Sequence, residues 1–396
     1  MCGVTYKTYL LKRRILFWLA SHGEMTIAEL ARCLNVSSPT ISKLITELTA
    51  DNYLCDMGKV ETAGGRRPYS YGLMPDAGYF MGVDIGDQAL NIGLIDLNKT
   101  PVTARQQLPF SPHNNINSLN ALASKIDEYI KDIGIDKSKI LGLGLILRGR
   151  VDSTNGYSYN LLNFDERPLA QIIQQKTGIP TIVENDTRAM AYAEYMNGEA
   201  RGEQNALFIN IGKGIGVGIV VGGKLYYGKS GFAGEFGHIP FFDNEMICHC
   251  GKKGCLETEA SGKALESKFN QRLEQGASSI LSGKFKKGET ISLSDIIEAA
   301  KNDDVLSIDL ITEIGEKLGR GIGVLINLFN PELVVIGGML SEVGDYLMLP
   351  IRTALNKYSL SLVNKDSSLR LSTLGEDASV LGGALLTRNR IFEINQ

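Results

Sequence analysis

The 396-residue chain contains no run of about 18 consecutive apolar residues, which excludes a transmembrane helix of ordinary length. It has no G-x-y period, which excludes a collagen-like rod. Cysteine is scarce: six in 396 residues are too few for a disulfide scaffold. A signal-peptide pattern is also missing. Lys12-Arg13-Arg14 lies inside an amphipathic stretch, and no small-residue cleavage site follows an apolar core. A cytoplasmic location is therefore expected. Hydrophobic residues make up 43% and charged residues 21%, so the chain is not wholly disordered. Glycine is what abounds, with 44 residues, about 11% against the usual value of about 7%. At roughly 150 residues per domain, the length implies two or three domains and a sizeable core.

Charge is unevenly placed. Residues 1–78 hold nine Lys/Arg against seven Asp/Glu, net +2, and the remainder holds 32 against 37, net −5. A small basic head on an acidic body suggests two jobs.

Residues 10–73 have the pattern of three helices followed by two strands. Leu11, Ile15, Trp18 and Leu19 follow helical spacing, and Ser21-His22-Gly23 ends that helix. Thr26-Ile27-Ala28-Glu29 reads as a capping box. Ile27, Leu30, Ala31 and Leu34 form the next apolar face. After the turn Asn35-Val36-Ser37, Ser38 is expected to cap the third helix, with Pro39 at its first position. Ile41, Leu44, Ile45 and Leu48 face inward, which leaves Thr40, Ser42, Lys43 and Thr46 outside. This is helix-turn-helix geometry. Ser37, Ser38, Thr40 and Ser42 are candidates for base edges, and Lys43 for a phosphate or guanine. Residues 53–73 read as a two-stranded wing whose tip is Thr62-Ala63-Gly64-Gly65-Arg66-Arg67-Pro68. Arg66 and Arg67 on such a tip suit a narrow minor groove. One helix pair alone would be an ordinary packing module; the features together point to DNA.

Beyond residue 78 strands alternate with helices. Strands are expected at 80–86, 90–97, 140–147 and 179–183, and helices at 119–133 and 187–196. A parallel arrangement is expected to restart at Ala206, with residues 207–211 leading into Gly212-Lys213-Gly214-Ile215-Gly216-Val217-Gly218. A third glycine-bearing segment is Leu333-Val334-Val335-Ile336-Gly337-Gly338. The alternation implies an α/β body, and the two similar starts imply a duplicated fold with a cleft between lobes. Glycine-rich turns after strands can cradle phosphate through backbone N–H groups. A tight β-hairpin is the simpler reading of each turn alone.

His238, Cys248, Cys250 and Cys255 fall within 18 residues and can supply the His-Cys₃ tetrahedral set that zinc prefers. Gly251 and Gly254 let the chain curl round the metal. A closed set leaves no position for water, so this zinc would be structural and would fix the loop carrying His238 and Glu257. His249 competes as a ligand, but it stands between two cysteines, and three consecutive ligands are awkward.

At this point the sequence resembles the repressor/ORF/kinase (ROK) family, in its sugar-responsive repressor branch. The resemblance covers nearly the whole chain. A histidine, nine residues, then Cys-x-Cys-x₄-Cys is the family's zinc signature, and His238, Cys248, Cys250 and Cys255 keep it. Residues 231–238 resemble its sugar-binding segment, Glu184-Asn185-Asp186 the segment of the kinase base, residues 330–338 the nucleotide-side strand and turn, and residues 62–68 the repressors' linker arm. The fold so implied is α/β: an N-terminal winged helix-turn-helix (1–75), then a two-lobed actin-like ATPase (ribonuclease H-like) body. Its first lobe would span 76–195 plus 380–396, and its second lobe, with the zinc loop, 196–379. The resemblance places Asn160, Asn185, Asp186, Glu235, His238 and Glu257 around a sugar. In a kinase member, Asp186 would take the proton of the attacking hydroxyl.

Three departures set the expectation. Kinase members carry Asp-x-Gly-Gly-Thr at the first phosphate turn; here it is Asp84-Ile85-Gly86-Asp87-Gln88. A carboxylate at 87 facing a phosphate at about 4 Å costs roughly 4 kcal/mol at an effective dielectric of 20. Lys213 replaces the usual threonine of the second turn. Arg148 and Arg150 replace small residues near the sugar, which fits either an anionic ligand or pairing with surface carboxylates. ATP use is not expected. The leading expectation is a sugar-responsive repressor, not an enzyme, with structural zinc. It would bind operator DNA as a homodimer or dimer of dimers and take a sugar or sugar phosphate. The alternatives are an ATP-dependent sugar kinase with a regulatory head, and a scaffold that docks a partner protein.

Overall fold

The computed structural model describes residues 3–60, 67–103 and 105–392. Contacts divide the chain into two compact units. One comprises residues 1–149, 155–184 and 383–396; the other comprises 150–154 and 185–382. The head is part of the first unit. The division falls between Glu184 and Asn185, whereas the sequence placed the lobe boundary at 195.

The head opens with α1 (Gly3–His22), β1 (Met25–Thr26), α2 (Ile27–Leu34) and α3 (Ser38–Ala50), and closes with β2 (Leu54–Lys59) and β3 (Tyr69–Leu73). Ile15, Leu19, Leu30, Leu34, Ile41, Leu44, Ile45 and Leu48 are buried, as their spacing predicts. The capping box forms: Thr26 N–H donates to Glu29 Oε2 at 2.8 Å, and Glu29 N–H to Thr26 Oγ1 at 3.3 Å. Asn35 ends α2 in the left-handed region at φ 53°.

The cap of α3 differs from expectation. The N-cap is Ser37, in extended conformation, and it makes no side-chain bond to the helix backbone. Ser38 is the first helical residue and Pro39 the second. An N-cap hydroxyl bonds the second or third helical N–H, and Pro39 has none. Ser37 Oγ instead lies 2.8 Å from Thr40 Oγ1.

Strands β2 and β3 pair antiparallel from Leu54↔Leu73 to Lys59↔Tyr69, with an irregularity between Asp56 and Gly58. Gly58 takes φ +96°, open to glycine at no steric cost. Strand β1 also pairs with β3, so the wing belongs to a three-stranded sheet, β1-β3-β2. Two residues are too short to show a period, so β1 left no sequence signal. The wing tip at 61–66, Arg66 included, lies outside the described residues; Arg67 is exposed.

The first body sheet holds β4 (Tyr79–Ile85), β5 (Ala89–Asp96), β6 (Gln106–Pro109), β7 (Ile140–Leu147) and β10 (Thr181–Asn185), in the order β10-β7-β4-β5-β6. The short strands β8 (Val151–Asp152) and β9 (Tyr157–Ser158) intervene, as do helices α4 (Ile116–Asp132) and α5 (Leu169–Thr177). Helix α6 (Asp186–Asn197) follows. The second sheet holds β11 (Ala206–Ile211), β12 (Ile215–Val221), β13 (Lys224–Leu225), β14 (Leu333–Gly337) and β15 (Ser368–Leu371), in the order β13-β12-β11-β14-β15. Its helices are α7 (Glu257–Ala260), α8 (Gly262–Glu274), α9 (Ser282–Lys286), α10 (Leu293–Lys301), α11 (Val305–Phe329), α12 (Asp345–Tyr358) and α13 (Ser361–Asp366). Helix α14 (Asp377–Ile391) closes the chain.

The two sheets share one plan: an antiparallel three-strand meander, then a strand parallel to its first member. This is the expected duplication. The restart at Ala206 is nevertheless antiparallel at first, because Gly212-Lys213-Gly214 is far too short for a parallel crossover. The glycines of β12 have a packing reason. A Cβ on Gly216 would fall 2.5 Å from Thr187 Oγ1, and one on Gly218 would fall 2.3 Å from Ala191 Cβ, both on α6.

Candidate functional site

The zinc-signature residues converge. One ligand atom from each of His238, Cys248, Cys250 and Cys255 lies within 4.8 Å of the others. Cys248 Sγ is 3.5 Å from His238 Nδ1, and Cys250 Sγ is 3.6 Å from Cys255 Sγ. Zinc bonds of about 2.3 Å to sulfur and 2.1 Å to nitrogen give tetrahedral edges of about 3.6–3.8 Å, so the donor set fits zinc. Backbone bonds shape the loop: Cys248 N–H donates to Lys252 O at 2.8 Å, Gly251 N–H to Cys248 O at 2.8 Å, and Leu256 N–H to Ile239 O at 3.0 Å. Burial pushes the Cys255 thiol up to about 12, and the Cys250 and Cys248 sulfurs push the same way. Three thiolates at this spacing need a cation among them.

His238, His249 and Glu257 also lie within ligand distance of one another. His249 is exposed, with Nδ1 3.0 Å from Glu257 Oε1. The other oxygen of Glu257 accepts Ile215 N–H at 2.9 Å. Glu257 is thus held at both oxygens, at the start of α7.

Helix α7 is itself pinned. Lys317 on α11 pairs with Glu259, and Lys268 and Lys317 pair with Glu313 at 2.5 and 2.8 Å. Asn244 of the metal loop donates to Glu259 Oε1 at 2.7 Å. Burial opposes ionisation of Glu313, but hydrogen bonds and charge from Lys268 and Lys317 prevail and lower its carboxyl from 4.5 to about 2. The folded chain thus holds this proton less readily than the unfolded one. The stabilisation is complete above pH 4.5 and fades as pH falls toward 2. Glu313→Gln is expected to flatten the loss of melting temperature across that window; parallel acid profiles for variant and wild type would refute it.

Asn185, Asp186, Glu235, His238 and Glu257 all lie in the second unit, and Asn160 lies in the first. Asn185, rather than Asp186, is the N-cap of α6: its Oδ1 accepts Arg188 N–H at 3.0 Å. Its Nδ2 donates to Asp186 Oδ1 at 2.8 Å, which places the Asp186 carboxylate at the positive end of the helix. Glu235 pairs with Arg150 at 3.3 Å and lies 3.9 Å from His238 Nε2. Asn160 is exposed.

Arg188 is the residue that sequence reasoning missed. It is buried on α6 and donates to Gly231 O at 2.5 Å, Val151 O at 3.2 Å and Ser153 Oγ at 3.4 Å. It thereby ties the 231–238 segment and the 150–154 segment to the helix that carries Asp186. Its only sequence signal was an arginine on the inner face of a helix.

Asp87 is not a bare charge: Arg148 pairs with it at 2.7 Å. Gly86 N–H donates to Ala89 O at 2.8 Å, which closes the turn as a tight hairpin. Both arginines of the third departure therefore have carboxylate partners.

The ROK family model matches residues 80–390. The chain belongs to the ROK family. A MarR family model matches residues 10–62. The chain is 30% identical over 356 residues to the xylose repressor of Caldicellulosiruptor bescii, covering 89% of each. It is 31% identical over 316 residues to the glucokinase of Halalkalibacterium halodurans, covering 79% of this chain and 96% of that one. A solved ROK family transcriptional regulator, described as a homologue of the Escherichia coli MLC protein, matches with a TM-score of 0.79 at 28% identity. That match covers 98% of this chain and 97% of the other. A winged-helix head on a ROK body is thus the organisation of a ROK transcriptional regulator. Among the described residues, no helix is long and apolar enough to cross a membrane.

Proposed function

We propose that this ROK protein is a sugar-responsive transcriptional repressor that is not a kinase. The observation that carries the reading is its similarity, along head and body together, to a xylose repressor and a ROK transcriptional regulator. Ser37, Ser38, Thr40, Ser42 and Lys43 all stand exposed at the N-terminal end of α3, where a recognition helix meets base edges. With Arg66 and Arg67 on the wing, they read operator DNA. A homodimer would present two such heads to a palindromic site. The protein would act where that DNA is, in the cytoplasm.

Asn185, Asp186, Glu235, His238 and Glu257, with Asn160, would grip the hydroxyls of a sugar or sugar phosphate. Zinc on His238, Cys248, Cys250 and Cys255 would hold the loop that presents His238 and Glu257. Sugar shifts operator affinity only by binding the two states of the protein unequally. The first phosphate turn carries Asp87 and Gln88 where kinase members carry glycine and threonine, which supports the loss of ATP chemistry.

The test is binding of the full chain to operator candidates by fluorescence anisotropy across a salt series. Affinity is expected to fall steeply with salt, and Lys43→Met to lower the log–log slope by about one. A coupled assay with ATP and a sugar panel is expected to show no turnover. Turnover at kinase rates, or binding that ignores salt, would overturn the reading.

A further inference from the structure

The C-terminal helix carries a buried arginine with no part in the sites above. Arg388 on α14 is only 2% exposed, in a chain whose other charged side chains mostly reach water. Its Nη2 donates to Ala20 O at 2.9 Å, and its Nε donates to Leu97 O at 2.8 Å. Those carbonyls belong to the head and the body respectively. Nη1 reaches Asn389 Oδ1 at 3.3 Å, and the guanidinium lies 5.4 Å from the Phe392 ring centroid. Phe392 in turn packs edge-on against Phe80 of β4, at 5.8 Å.

The chemistry suits arginine and no other residue. Ala20 lies in the last turn of α1, where helix carbonyls lack partners within the helix and the helix end is negative. A planar fork of donors satisfies two carbonyls at fixed angles, which the single ammonium of lysine does not. Other polar links between head and body are longer: Leu97 N–H donates to Pro75 O at 3.3 Å, and Asn98 Nδ2 to Leu73 O at 3.5 Å. The division of the chain into its two units also falls inside α14, between Gly382 and Gly383. The helix that grips the head therefore starts among residues of the second unit. There Gly382 packs so closely on α6 that a Cβ would fall 1.9 Å from Ala189 O.

We propose that Arg388 is the positioning residue that fixes the DNA-binding head on the body, by clamping the C-terminal end of α1 to the end of β5. Its effect on DNA is through the head's orientation; it touches no base or phosphate. The operator readout rests on the proposed function, and the docking readouts do not.

The experiment compares full-length Arg388→Met and Arg388→Lys with wild type. Hydrogen exchange of peptides spanning residues 17–25, and proteolysis within residues 73–78, are each expected to speed up about tenfold or more in both variants. Operator affinity is expected to fall about tenfold, while zinc content and the main melting transition stay unchanged. Wild-type protection of the head with operator affinity within about twofold would overturn the assignment. So would loss of the main melting transition in both variants, which would make Arg388 a core residue. If wild type binds no operator, the proposed function fails, and head protection alone decides Arg388.

Discussion

Cys250→Ser is expected to yield a chain without zinc, melting roughly 10 °C lower than wild type. The four donors are spaced as tetrahedral edges, and loss of one thiolate breaks the set; the neighbouring His249 is held by Glu257 at 3.0 Å. The tip of the loop is poorly packed: Ile247 is 72% exposed and Met246 is 41% exposed, so few apolar contacts there replace the metal. Structural zinc contributes about 10–16 kcal/mol to isolated fingers. Here the body has its own core, and only the loop folds against the metal. A loss of about 3 kcal/mol is the appropriate scale, and each kcal/mol lowers Tm by about 2–4 °C in a unit this size. Sugar affinity is expected to fall as well, since His238 and Glu257 flank the loop. Elemental analysis and calorimetry on purified protein decide it. A serine variant that keeps stoichiometric zinc and the wild-type Tm would refute the metal centre.

The second large effect is at Asp186. Asp186→Ala is expected to weaken sugar binding roughly 10–150-fold, the range for losing a charge-assisted hydrogen bond. Stability should change little, because the helix cap belongs to its neighbour. Asn185→Ala is expected to do the reverse in part: it removes the cap bond to Arg188 N–H and costs about 1 kcal/mol of stability. Titration calorimetry with a sugar panel, beside thermal melts, separates the two. Equal sugar affinities for wild type and Asp186→Ala would remove Asp186 from the site. If the chain were a kinase, Asp186→Asn would depress turnover far more than affinity.

Much of this was legible in the sequence for a local reason. Helices α2 and α3 announce themselves through 3.6-residue spacing, and α2 also through a capping box, all settled within a dozen residues. The four metal donors lie within one loop, so their spacing alone brings them near one another. The duplication was legible because each copy begins with an apolar strand and a glycine turn, whereas its antiparallel meander was not, since the restart at Ala206 reads as parallel.

What the sequence hid was pairing between distant residues. Asp87 read as a bare charge until Arg148, 61 residues away, was found beside it. Asn185 and Asp186 are adjacent polar residues, either of which can cap a helix, and only backbone geometry assigns the role to Asn185. The glycines of β12 read as phosphate turns, yet Gly216 and Gly218 are small because α6 lies against them.

The clearest contrast is between two arginines. Arg188 and Arg388 are both arginines in helices, and the sequence marks neither as unusual. Burial and carbonyl partners 37 to 368 positions away set them apart. The head, the duplicated α/β body and the donor set of the metal loop follow from short-range period and spacing along the chain. Which charges are paired, and what each buried arginine holds, follow only from the folded arrangement. Those depend on which distant backbone carbonyls and carboxylates the fold brings within about 3 Å of a donor.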